Sequence, residues 1–183
     1  MTTPPRWLDE REQSAWRGFL ELHARLSVQL NRDLQTAAGL SQADYAVLVH
    51  LSEHPARRLR VLELARTMGW EKSRLSHQLS RMQQRGLIAR AGCPKDRRGA
   101  FVELTDAGAR TLEDAAPAHV DSVRRHLFDH LSPEQVDALD AMSHRVLDHL
   151  DGACPTRDCG TADATSVEAA DEECDAARIG DGR

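Results

Sequence analysis

The apolar positions Trp16, Phe19, Leu20, Leu26, Leu30 and Leu34 recur at helical spacing on one face, predicting an amphipathic helix over residues 10–37 stopped by Gly39. That is longer than a small core needs. Ser41 and Asp44 have the spacing of a capping box and are followed by Tyr45, Leu48 and Leu51, so a second helix is expected to about Glu53, where His54-Pro55 ends it. Val61, Leu64, Ala65 and Met68 define a short helix stopped at Gly69, and a fourth runs from Glu71 to Arg85. After Gly86 the pattern changes, and Leu87–Arg90 and Ala100–Leu104 read as two strands flanking a tip with Lys95, Asp96, Arg97 and Arg98. Thr105-Asp106 opens another helix, which Pro117 is expected to interrupt before it resumes to about His130. Ser132-Pro133-Glu134-Gln135 is a second capping box, and the last helix runs to Leu150 with the stripe Val136, Leu139, Met142, Val146, Leu147 and Leu150.

The fourth helix is the most informative. At about 100° per residue from Ser73, the apolar Met82, Leu75 and Leu79 fall at about 180°, 200° and 240°. Ser73, Arg74, Ser76, His77, Ser80, Arg81 and Gln84 occupy the opposite side, with no acid among them. One face packs while the other presents donors, as a helix entering the negatively charged major groove requires. A short helix, a turn at Met68-Gly69-Trp70 and this helix make a helix-turn-helix, and the hairpin beside it is a wing whose arginines can reach a narrow minor groove. The fold class is therefore mainly α (α+β), a winged helix-turn-helix with long N- and C-terminal helices.

Composition agrees with that reading. Hydrophobic residues are 40% and aromatics 4% of the 183 residues, so Leu, Val and Ala must build the core, which favours helices. No apolar run approaches a membrane span or a signal peptide, and a cytoplasmic protein is expected. The four cysteines, Cys93, Cys154, Cys159 and Cys174, are expected as reduced thiols. The net charge of -5 hides a segregation: residues 151–183 hold nine acids against three arginines, whereas residues 57–98 hold twelve Lys or Arg against three acids. A basic block of that size is either a solvated surface or a polyanion-binding face, and its place on a helix-turn-helix favours DNA. The acidic tail is too poor in large apolar residues to fold and is expected to be disordered.

With these pieces in order, residues 10–150 resemble the MarR (multiple antibiotic resistance regulator) family of bacterial winged helix-turn-helix transcription factors. The segments GLSQADYAVLVHL, RLRVLELARTMGWEKSRLSHQLSRMQQRGLIAR and CPKDRRGAFVELTDAG carry the likeness. The resemblance implies a homodimer with intertwined terminal helices, bound across an inverted repeat of double-stranded DNA and usually repressing nearby genes. It assigns Ser73, Arg74, Ser76, His77 and Arg81 to the recognition helix, and Asp96 with Arg98 to the wing-tip Asp-x-Arg, with Arg97 between them as the other arginine able to insert. Members respond to small aromatic or phenolic anions, for which Trp16, His23 and Tyr45 are the candidate pocket, unless these are ordinary packing side chains. The organisation expected is a dimerization helix (1–40), a winged lobe (41–105), further dimerization helices (106–150) and the tail.

Other chemistry is weaker. Cys93 lies among Arg90, Lys95, Arg97 and Arg98, a field that lowers a thiol pKa, so a redox-sensing regulator is one alternative and a sequence-independent architectural binder is another. His50 with His54 and His126 with His130 have the i, i+4 spacing of metal pairs, but two ligands do not make a site, and no metal or other cofactor is expected. The acidic tail could compete with DNA for the basic lobe, or simply solubilise. Phosphate-loop, nucleophile-elbow and zinc-protease motifs are absent, so no enzyme is expected.

Overall fold

A computed structural model describes residues 5–92 and 100–152. The hairpin tip with Cys93, Asp96, Arg97 and Arg98, and the acidic tail beyond Gly152, lie outside the described residues. The first helix, α1 (Glu10–Ala38), starts at an Asp9/Glu12 capping box and stops at Gly39, whose φ of 63° is the left-handed conformation that ends helices. Helix α2 (Gln42–Glu53) starts at the expected Ser41/Asp44 box. Helices α3 (Val61–Thr67) and α4 (Lys72–Gln84) follow, then strands that extend the expected hairpin to Ile88–Gly92 and Ala100–Leu104.

A three-residue strand that the pattern did not predict, β1 (Arg58–Arg60), precedes α3, which makes the hairpin strands β2 and β3. All pair antiparallel in the order β1-β3-β2, with Leu59 opposite Val102 and Arg90 opposite Val102 on its other side. One apolar residue between two arginines carries no readable period; pairing with β3 creates the strand. The turn into it passes through Arg57 at a φ of 49°, and the Arg57 carbonyl accepts from the Leu104 amide at 2.9 Å.

The helix after β3, α5 (Asp106–His126), corrects a second expectation, because it continues through Pro117 without interruption. Proline removes the bond to the carbonyl four residues back, that of Glu113, but both residues are exposed, so water can take the donor's place. Either side of the proline α5 is anchored, by Ala115 in the lobe's core and by Ser122 against α1. It ends at His126 rather than His130; a separate 3-10 turn, Phe128–His130, leads to α6 (Pro133–Gly152), whose Ser132/Gln135 capping box forms as expected.

The core is a cluster in which Leu48, Leu51, Leu64, Leu75, Leu79 and Val102 are fully buried, joining α2, α3, α4 and the sheet. Outside it, α1 meets α5 around Asp33. Its Oδ2 accepts from Ser122 Oγ at 2.6 Å, His126 Nε2 at 2.9 Å and Arg125 Nη2 at 3.3 Å, and its Oδ1 from Gln29 Nε2 at 3.0 Å. The Ser122 hydroxyl first, then the His126 ring, holds its carboxyl at about 2 instead of the usual 3.8. No residue of α6 is buried.

Gly108 marks where α5 grips the lobe. Thr105 caps the helix by accepting from the Gly108 amide at 3.0 Å while its one hydroxyl proton is shared between the carbonyls of Gly86 at 2.7 Å and Leu87 at 3.0 Å. A Cβ on Gly108 would stand 2.0 Å from the Leu87 carbonyl oxygen, where only backbone could yield. Gly108→Ala is therefore expected to destabilise the protein by about 1–3 kcal/mol or more in urea unfolding; an unchanged midpoint contradicts the close packing. Because folding lowers the Asp33 pKa, the stability it contributes is present above about pH 4 and lost as pH falls toward about 2. The stability difference between wild type and Asp33→Asn should shrink over that interval, and a constant difference contradicts the assignment.

Candidate nucleic-acid interface

The turn between α3 and α4 is set by its backbone. Gly69 adopts a φ of 61°, its amide donates to Arg66 O at 3.0 Å and the Trp70 amide to Ala65 O at 2.9 Å, the paired bonds of a Schellman motif. The same motif closes α4, where Gly86 donates to Gln83 O at 2.9 Å and Leu87 to Met82 O at 3.1 Å. Two left-handed glycines thus fix where α4 begins and ends.

Between them the expected seam forms: Leu75, Leu79 and Met82 are fully buried. Ser73, Arg74, Ser76, His77 and Arg81 are all exposed, and α4 contains no carboxylate. The structure brings these five sequence-predicted contact residues onto one accessible surface. A donor-rich, uncompensated face of this kind attracts a polyanion and can reach base edges.

Behind that face lies a network the sequence did not reveal. Gln78, which the sequence pattern did not single out, is 4% exposed. Its Nε2 donates to Asp44 Oδ1 at 2.5 Å, and its Oε1 accepts from Arg81 at 2.5 Å. Asp44 Oδ2 accepts from Arg85 at 2.8 Å and closes the Ser41 box by accepting its amide at 2.9 Å; Arg85 also donates to the Gly39 carbonyl at 2.8 Å. On the strand side, Arg90 of β2 donates to the Ser76 carbonyl at 2.9 Å. Trp70, half-buried against the core, lies under the Arg74 guanidinium, 4.4 Å from the ring centroid. The one available signal for Gln78 was its wheel position at the edge of the seam; one of its partners, Asp44, lies 34 residues away, and the other, Arg81, belongs to the exposed face.

The candidate pocket residues are divided. Trp16 and His23 flank Phe19 in a stack along the exposed side of α1, with centroids 6.0 and 6.5 Å apart. Tyr45 instead meets His119 of α5 at 4.4 Å, a residue the sequence did not single out. Burial raises the Tyr45 pKa and lowers that of His119, favouring both neutral forms, and the buried His119 Nδ1 has no hydrogen-bond partner among the described residues. Three of the four paired histidines bond elsewhere: His126 bonds Asp33, His130 Nε2 meets the Arg125 carbonyl and His54 Nδ1 accepts from the Ala56 amide. Among the described residues no group of three or more His, Cys, Asp or Glu is placed to hold a metal, and no helix is long and apolar enough to cross a membrane.

Comparison with known proteins matches residues 38–99 to the family model described as MarR family. AbsC, a MarR family transcriptional regulator from Streptomyces coelicolor, is 46% identical, with 81% of this chain and 99% of that chain covered at a TM-score of 0.74. Sco3205, a MarR family transcriptional regulator from the same organism solved in complex with DNA, is 42% identical over 87% of this chain and 97% of that chain, with a TM-score of 0.76. The uncharacterized HTH-type transcriptional regulator YkoM of Bacillus subtilis (strain 168) is 25% identical over 130 residues, 71% of this chain and 82% of that protein.

Removing the carboxylate at the centre of the network strips α2 of its box and leaves the Gln78 amide buried without an acceptor. Asp44→Ala should cost about 2–4 kcal/mol in urea unfolding; a loss below about 0.5 kcal/mol, the size of an ordinary surface change, contradicts the network.

Proposed function

The chain belongs to the MarR family of transcriptional regulators, and from that premise we propose that it is a homodimeric repressor that binds an inverted-repeat operator and releases it on binding a small aromatic or phenolic ligand. The observation that carries the reading is the outer face of α4, where Ser73, Arg74, Ser76, His77 and Arg81 stand exposed on a helix whose inner face is sealed. Sco3205, 42% identical, was solved with DNA bound, which supports the same partner here. Lobe 41–105 carries the recognition surface, and Asp96 with Arg97 or Arg98 extends it to the minor groove.

The dimer rests on unsealed apolar surface. Trp16, Phe19, Leu20 and Leu22 of α1 and Met142, Val146, Leu147 and Leu150 of α6 are each about half exposed. A second copy laid on residues 1–40 and 106–150 covers both faces. Its two-fold axis places two α4 helices on half-sites about one turn of duplex, ~34 Å, apart, hence the inverted repeat. For the ligand, the Tyr45–His119 contact between α2 and α5 is the better-formed end of the expected pocket, because it offers a buried, unpartnered ring nitrogen beside a phenol.

Fluorescence anisotropy against DNA upstream of the gene and against random duplex of equal length, at several salt concentrations, tests the reading. Binding tighter to upstream DNA by ~10³-fold or more, with a steep salt slope, is expected; equal weak binding to both contradicts specific repression from that site. Arg74→Ala and His77→Ala should each weaken operator binding by ~1–3 kcal/mol with little effect on random DNA, and equal losses on both would remove their base-reading role. Sedimentation should show a dimer that Leu147→Asp shifts toward monomer.

A further inference from the structure

The two arginines on the outer face of α4 are held in different ways. Arg81 donates to the Gln78 amide oxygen, so part of its fork is already committed. The Arg74 side chain makes no hydrogen bond or ion pair with any described residue; its contact is with the Trp70 ring, 4.4 Å from the centroid. That is well inside the ~6 Å at which a cation is drawn to an indole face. Trp70 is itself rooted, since its amide is locked by the Schellman motif after α3 and its side chain packs against the lobe's core.

We propose that Trp70 is the specificity-determining positioning residue of this surface, an aromatic platform that carries Arg74 with its N–H donors free, so that Arg74 reads a guanine in each operator half-site. The proposal rests on the DNA-binding reading above and adds which base is read and what holds the reader. A guanidinium held over an aromatic ring keeps its five N–H groups unspent, and two of them in a fork match the O6 and N7 acceptors of guanine in the major groove. An unsupported arginine would have to be ordered at the moment of binding, at a cost in rotamer freedom that the platform removes in advance. Arg81, tied to Gln78, has fewer donors to offer and is suited to a single phosphate or base contact.

The test is selection from a random-sequence duplex library by the full-length wild type, Arg74→Ala, Trp70→Leu and Trp70→Phe, with urea unfolding of each. The wild-type motif should contain a guanine in each half-site whose preference Arg74→Ala erases. Trp70→Leu should lower that same preference by about fivefold to tenfold while the other positions of the motif keep theirs, and Trp70→Phe, with a smaller and weaker face, should fall between. A merely structural tryptophan would reduce affinity for all sequences alike, and that outcome, or a guanine preference unchanged by Trp70→Leu, overturns the proposal. If the leucine variant does not fold, the phenylalanine variant decides alone, since a preference equal to wild type overturns the proposal. A wild type that selects no motif overturns the DNA-binding reading beneath it, a result distinct from a motif indifferent to Trp70.

Discussion

A carboxylate buried where three helices meet must find its donors there, and the arrangement of the lobe follows from how Asp44 does so. It takes the Ser41 amide from its own helix, the Gln78 amide from α4 and the Arg85 guanidinium from the end of α4. Arg85 continues to the carbonyl of Gly39, where α1 stops, and Gln78 continues to Arg81 on the outer face. The Gln42 amide adds a bond to Asn31 of α1 at 3.0 Å. One side chain, 4% exposed, therefore ties the end of α1, the start of α2 and the length of α4 together. Burying a charge is unfavourable until each of its oxygens is satisfied, so this junction has few alternative geometries.

The scaffold has a second joint of the same kind at Asp33, between α1 and α5, but it is more open and its partners are a hydroxyl, a histidine and an arginine. The pair divides the molecule's tasks. Asp44 orients the winged lobe on α1, while Asp33 and Ser122 lock the long helices to each other. Between the joints the apolar core is complete within the lobe and incomplete on α1 and α6, whose outward residues stay half exposed. A lobe with a sealed core on a scaffold with uncovered apolar faces fits the dimer proposed above.

What could be read from the sequence was what is encoded locally. The stop at Gly39, the Ser41 and Ser132 boxes, the glycine after α3 and the seam of α4 each depend on residues within one or two turns, and all stand where expected. Strand β1 was hidden because Arg-Leu-Arg becomes a strand only when β3 lies beside it, more than forty residues later. Pro117 misled because its usual penalty assumes a carbonyl that needs a protein donor, whereas Glu113 and Pro117 lie on an exposed turn that water can reach. Asp44 was legible as a cap and illegible as a hub, since Gln78 and Arg85 lie 34 and 41 residues away. Gln78 and Trp70, which touch Arg81 and Arg74, show the same limit: their contacts are with other polar side chains, and no periodicity records that.

Those long-range links also bear on how a ligand could act at a distance from α4. Tyr45 follows Asp44 in the chain, so the ring that meets His119 of α5 and the carboxylate that holds Gln78 share one turn of α2. A molecule inserted between Tyr45 and His119 has to part the two rings, and where that is done by moving α2 it carries Asp44 with it. Gln78 and Arg85 must then follow or lose a buried acceptor, and either outcome changes the seat of Arg81 and the tilt of α4 on α1. A close-packed interior does not absorb such a shift gradually. On the palindrome proposed above, two α4 helices must fit a fixed spacing, so a rotation at this junction would work against one half-site.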